Sequence, residues 1–258
     1  MARMPVLFVG HGSPMNAIEN NRYTAQWEAL GTRLPRPEAI LSVSAHWFTR
    51  GTKIADTDAP ETIYDMYGFP KALYQIQYNA PGAPRLAREA ERLIRRSVAV
   101  DNTWGLDHGT WSVLRRIYPQ ADIPVFQLSV DRSAPAEVHY QIGRELRSLR
   151  DQGVLLLGSG NIVHNLALVD WTLNGGYAWA EDFDGYIRQR ILEGRHEDVA
   201  HFERAGASAA LAVPLMDHFA PLLYVLGAAG EDDPVSFFNN GYVLGSLSMT
   251  CCLLGEAE

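Results

Sequence analysis

Cysteine is almost missing from this chain: the two in 258 residues, Cys251 and Cys252, stand side by side. Adjacent residues do not close an ordinary disulfide, and two thiols with no spaced partner form no zinc-thiolate site. The pair predicts a reducing compartment, the cytoplasm, and leaves histidine and carboxylate as the available metal ligands. Basic runs are missing too. With 22 Lys and Arg against 30 Asp and Glu, the formal net charge is −8, and no basic cluster exceeds Arg95-Arg96 or Arg115-Arg116. Such a surface does not track phosphates, so no nucleic-acid partner is expected. No apolar run approaches the roughly 20 residues needed to span a bilayer. The N-terminal stretch has one early Arg and then turns strand-like, which is no signal peptide. No membrane partner is expected. Internal repeats, low-complexity segments and linkers are also lacking.

What remains is an ordinary globular composition, 47% hydrophobic and 20% charged. Short apolar runs alternate with helical patterns, which predicts an α/β fold: a mainly parallel central sheet flanked by helices on both faces. Strands are expected at Val6–Val9, Ala39–Ser44, Ile123–Leu128 and Val154–Leu157, with a late pair at Val235–Phe238 and Tyr242–Cys252. Helices are expected at Pro84–Arg96, Thr110–Tyr118, Pro135–Arg150, Ala178–Leu192 and Pro221–Gly227. Pro84 and Pro135 suit first turns, and Gly153 suits a helix end. The length fits a single catalytic domain over residues 1–258. Arg50–Pro84, rich in Pro, Gly, Tyr and Asp, reads as a long structured excursion of the kind that covers active sites. Its Tyr64, Tyr67, Phe69, Tyr74 and Tyr78 either wall a pocket or pack the loop down.

Eight histidines are present, and their positions matter more than their number. His11 and His46 directly follow predicted strands, and His164 comes a few residues after a third. In an open parallel sheet, ligands bind beyond the carboxyl ends of the strands. Three histidines there can meet although more than a hundred residues separate them, and imidazoles so gathered define a mononuclear metal site. For any one of them, a buried histidine bridging loops is the plain alternative. His108, at a helix entry beside Asp107, suits an acid/base or substrate-donor role, with Asp107 either orienting the ring or capping the helix. His218 opens the last predicted helix, where a solvent-facing ring is the default. His139, His196 and His201 read as solvated-face residues without a role.

The runs His11-Gly12-Ser13-Pro14-Met15-Asn16, Ser44-Ala45-His46-Trp47, Asp107-His108-Gly109, Gly160-Asn161-Ile162-Val163-His164-Asn165 and His218-Phe219-Ala220-Pro221-Leu222-Leu223-Tyr224 resemble the class III extradiol ring-cleavage dioxygenases, and within them the 4,5-DOPA dioxygenase branch. The resemblance runs in order from about Met4 to Met249. It implies that His11 and His46 are metal ligands, and that His218 stands where protocatechuate-cleaving relatives carry a glutamate ligand. It further implies that His164 is an acid/base histidine, or a ligand in this branch, and that His108 is a second pocket histidine.

The usual non-haem iron arrangement is two histidines and one carboxylate. Here the set is all-histidine unless Asp217 replaces His218. One divalent metal ion is implied, Fe(II) for activity, with Zn(II) as another occupant. The implied partners are a small-molecule catechol such as L-DOPA and O2. His164 or His108 takes a phenolic proton, and the ring opens beside the diol to a muconic semialdehyde. Metal affinity is expected to fall as pH drops through about 6, because ligating imidazoles must be neutral. Competing readings are a zinc-dependent hydrolase, a tetrapyrrole chelatase, and a non-enzymatic metal-binding or interaction protein on the same fold.

Overall fold

The computed structural model describes residues 3–257. Its centre is a six-stranded sheet built from β1 (Val6–Gly10), β2 (Ala39–Ser44), β3 (Val125–Gln127), β4 (Val154–Gly160), β5 (Val235–Phe238) and β6 (Cys251–Leu254), in the spatial order β3-β2-β4-β1-β6-β5. The first four are mutually parallel, with Val6 opposite Leu156 and Ala39 opposite Val154; β6 runs antiparallel to both β1 and β5. A strand from near each end of the chain thus lies side by side, Val6 opposite Leu254.

Near-continuous apolar strands imply a sheet buried on both faces, and alternate residues do enter different cores. Val6, Phe8, Leu41 and Val43 pack on one side; Leu7, Val9 and Ile40 pack on the other. The first face is covered by α2 (Pro84–Leu93), α4 (Ala136–Leu146), α5 (Ala178–Leu192) and α6 (Ala220–Ala228). The second is covered by α1 (Arg22–Gly31) and α3 (His108–Ile117), through Trp27, Leu30, Val113 and Leu114. The expected α/β class, mainly parallel sheet and two-sided helical cover are all present. Among the described residues, no helix is long and apolar enough to cross a membrane.

Several local expectations need correction. Tyr242–Cys252 is not one strand: Leu244 (φ 55) and Gly245 (φ 78) turn it into a small hairpin before β6 begins. Helix α1 was not expected, although Asn21 caps it reciprocally, accepting from the Tyr23 and Thr24 amides while Thr24 Oγ1 accepts from its own amide. The expected helix Pro135–Arg150 ends as α4 at Leu146 and continues as a 3-10 turn to Gly153, whose φ of 79 closes it. His139 is not on a solvated face. It lies at 0% exposure with Ala136, Ile142 and Leu146 on one stripe of α4, its Nδ1 3.0 Å from the Tyr224 hydroxyl.

Candidate metal centre

The carboxyl end of β4 is the hub of the site. Strands β1 and β2 flank β4, and His11 and Ala45, just beyond them, donate backbone N–H groups to the Gly160 and Ser159 carbonyls. His11 and His46 are thereby delivered to either side of one strand end. His218 arrives from the first core face, where its carbonyl accepts from the Asn161 amide at 2.9 Å. His164 follows β4 itself and is held by its amide on the Ala212 carbonyl. Two glycines make the approach possible. Gly12 turns the chain after His11 with φ +61, and a Cβ on Gly109 would stand 2.6 Å from Ser44 Oγ and 2.9 Å from the His46 ring.

The five histidines singled out by sequence all meet here. Ring centroids of His11, His46 and His218 are 5.0, 5.3 and 5.1 Å apart, and their ligand nitrogens fall in one group within 4.8 Å of one another. His46 and His108 approach to 3.8 Å; His164 stacks on His218 at 3.4 Å with planes 5° apart. Thus His218 is buried in the cluster, not exposed at a helix start. Ligand atoms of His164, Asp217 and His218 form a second group, which does not include His11 or His46.

Hydrogen bonding assigns the lone pairs. Ser159 Oγ donates to the Gly109 carbonyl at 2.6 Å, so it accepts from His11 Nδ1 at 3.0 Å, and His11 Nε2 is left with a lone pair. That atom lies 3.1 Å from His46 Nε2, while His46 Nδ1 faces Asp65 Oδ2 at 3.5 Å. With its proton on Nδ1, His46 presents a second lone pair to the same point. Two metal–nitrogen bonds of about 2.1 Å at a right angle put their nitrogens about 3 Å apart, so this spacing suits one shared ion. His218 brings a third imidazole nitrogen within 4.8 Å of these two, while its buried Nδ1 lies 3.1 Å from Asp217 Oδ1. The donor set fits a single divalent cation.

Burial, reinforced by neighbouring rings, holds the His11 and His46 imidazoles well below their usual pKa. His164 is pushed down to about 3, first by burial and then by His218. All three are neutral at neutral pH, as ligands or bases require. Protons therefore begin to compete for His11 and His46 below the pH of about 6 expected of ordinary imidazoles.

Asp65 is the participant that sequence reasoning missed. It comes from the Arg50–Pro84 excursion and accepts from both the backbone N–H and the Nδ1 of His108, each at 2.8 Å. No periodicity marked it; the only signal was the Asp content of that loop. Asp107 is settled as the cap of α3, accepting from the Thr110 amide, the Ser44 hydroxyl and the Trp104 indole. Burial and then Asp65 raise its carboxyl to about 6. Of the loop aromatics, Tyr78 is buried on the Tyr118 carbonyl and Tyr64 bonds the Ile76 carbonyl, whereas Tyr67 is 91% exposed. The first two pack the loop down.

Comparison with known proteins agrees with this geometry. Residues 6–249 match the family described as the catalytic LigB subunit of aromatic ring-opening dioxygenase. A protein of Escherichia coli strain K12 named 4,5-DOPA dioxygenase extradiol is 48% identical over 260 residues, covering 98% of this chain and 95% of that one. One of the same name from Beta vulgaris is 38% identical, covering 93% and 92%. A crystal structure of an uncharacterized Escherichia coli K12 protein superposes with a TM-score of 0.86 at 42% identity, covering 98% of this chain and all of that one. None of these relatives supports the hydrolase, chelatase or adaptor readings. Fold, strand-end histidines and full-length similarity converge: the chain is an enzyme belonging to the aromatic ring-opening dioxygenase family, on the extradiol side of ring cleavage.

Proposed function

We propose that residues 1–258 act as a single catalytic domain that opens a catechol such as L-DOPA with O2 to a muconic semialdehyde, using Fe(II) held by His11, His46 and His218. The observation that carries this reading is the convergence of those three rings with His108 and His164 beside them. His218 completes the set in preference to Asp217, whose Oδ1 accepts from the His218 amide and which lies in a group apart from His11 and His46. Zn(II) suits the same ligands but lacks the redox chemistry.

Bound there, a redox-active divalent ion supplies a Lewis acid for the catechol oxygens and the electrons that activate O2. The protein moves the protons. Asp65 holds His108 Nδ1–H, so His108 Nε2 keeps a lone pair and takes a phenolic proton. His164, neutral and stacked on His218, is the second acid/base group rather than a ligand. Three neutral ligands leave the full positive charge to attract a catecholate. The free, buried Cys251 and Cys252 fit a reducing cytoplasm.

The test is anaerobic loading with Fe(II), then exposure of L-DOPA, caffeate, protocatechuate and simple catechols to O2 while following the yellow ring-opened product. L-DOPA cleavage by the iron-loaded protein alone is the expected result. Equal cleavage by a zinc-loaded preparation sinks the iron assignment, and no cleavage of any catechol sinks the substrate assignment.

A further inference from the structure

Two carboxylates lie within ligand distance of the cluster's histidines, and they differ in what they have left to offer. Asp65 is spent: one oxygen accepts from the His108 amide, the other from the His108 ring, and its side chain is 8% exposed. Asp217 is half-spent. Its Oδ1 accepts from the His218 amide at 2.7 Å, whereas Oδ2 accepts from no group among the described residues. Its side chain is 24% exposed, against 8% for His218, so it stands at the margin of the cluster rather than in its floor. The ion-pair partners of both carboxylates are histidines; no Lys or Arg among the described residues pairs with either.

A catechol seated by its two oxygens on the histidine set points its ring substituent away from them, and Asp217 is the carboxylate at the margin of the cluster that keeps a free oxygen. A substituent that reaches Asp217 meets a carboxylate oxygen that no Lys or Arg among the described residues pairs with. An ammonium fills that vacancy with a charge-assisted hydrogen bond, while a carboxylate meets like charge. We infer that Asp217 is a specificity-determining residue that selects catechols carrying a cationic side chain, amines as well as amino acids, over neutral and anionic ones. The inference rests on the extradiol reading of the site.

The experiment compares dopamine, 4-methylcatechol and 3,4-dihydroxyphenylpropionate as cationic, neutral and anionic probes. It measures kcat/KM with iron-loaded protein and, without turnover, Kd by anaerobic calorimetry with zinc-loaded protein. Wild type is expected to rank them in that order. In Asp217→Asn the dopamine to 4-methylcatechol ratio is expected to fall by about tenfold or more, the size of a lost charged hydrogen bond, whatever loss the two share. Asp217→Glu should restore much of the ratio. An equal loss on both probes overturns the inference, since a residue that only braces His218 affects all catechols alike. If neither variant folds, wild-type preference for the anionic probe overturns it and the expected ranking, weakened by added salt, upholds it. No ring opening of any probe defeats the dioxygenase reading instead, and the zinc-loaded Kd ratios still judge Asp217.

Discussion

His139 is as hidden from solvent as two histidines of the centre, at 0% exposure against 2% for His11 and 6% for His218. Burial lowers the pKa in both places, to about 4 for His139. They part in what their nitrogens face. His139 Nδ1 meets the Tyr224 hydroxyl, which also reaches the Ser129 carbonyl, so a helix, its neighbour and a strand end are pinned together. At the strand ends, ring nitrogens face other ring nitrogens at 3.1 Å. A histidine neutralised by burial is unremarkable; several sharing one focus are held at a cost that a bound cation offsets. Even the run from His218 to Tyr224 divides this way, its first residue in the cluster and its last against His139.

Substitutions can break that contrast. His46→Ala should abolish stoichiometric metal binding and lower kcat/KM by about a thousandfold or more, while the metal-free protein keeps its melting temperature. Metal analysis and calorimetry check both halves, and a variant that keeps its metal ends the comparison. His139→Ala should do the reverse, costing about 3 kcal/mol of stability through a buried cavity and the lost hydrogen bond to the Tyr224 hydroxyl, with metal content normal. Chemical denaturation measures it.

Asp65→Asn sharpens the cluster side. An outer carboxylate on a site histidine is worth about 10- to 100-fold, so kcat should fall by that order with metal retained. A loss of metal instead would move His108 into the ligand set. The smallest effect concerns pH. The His139 pKa is depressed in the folded state, so its contribution is full above the unfolded value of about 6.5 and is lost as pH falls toward about 4. The stability difference between wild type and His139→Gln should therefore shift by about 1 kcal/mol, against wild type, from about pH 7 to about pH 5.5. A pH-independent difference would mean that the His139 pKa is the same in the folded and unfolded states.

Much of the site was legible because His11, His46 and His164 sit at chain positions with a local signature, whereas the local position of His218 pointed to solvent. His11 and His46 end apolar β-branched runs, and those runs are strands wherever a two-sided core exists. His139 was legible too, on reflection, since Ala136, His139, Ile142 and Leu146 recur at helical spacing and mark one buried stripe. Asp65 was not. It lies 43 residues before its partner, in a loop without periodicity, and nothing local tells a carboxylate that caps a turn from one that grips a ring across the site. The break in Tyr242–Cys252 was hidden likewise, because a positive φ at Leu244 runs against the residue's own preference.

The sequence by itself determined the α/β class, most strands and helices, and His11, His46 and His164 as strand-end histidines, because apolar period and strand-end position are properties of adjacent residues; His218 entered the centre only through the family resemblance. Tertiary structure alone decided that His218 joins His11 and His46 while His164 stacks outside them, that Asp65 grips His108, and that Asp217 keeps one oxygen free. Those are distances between groups that the chain brings together only when β1, β2 and β4 lie side by side and α6 closes over them.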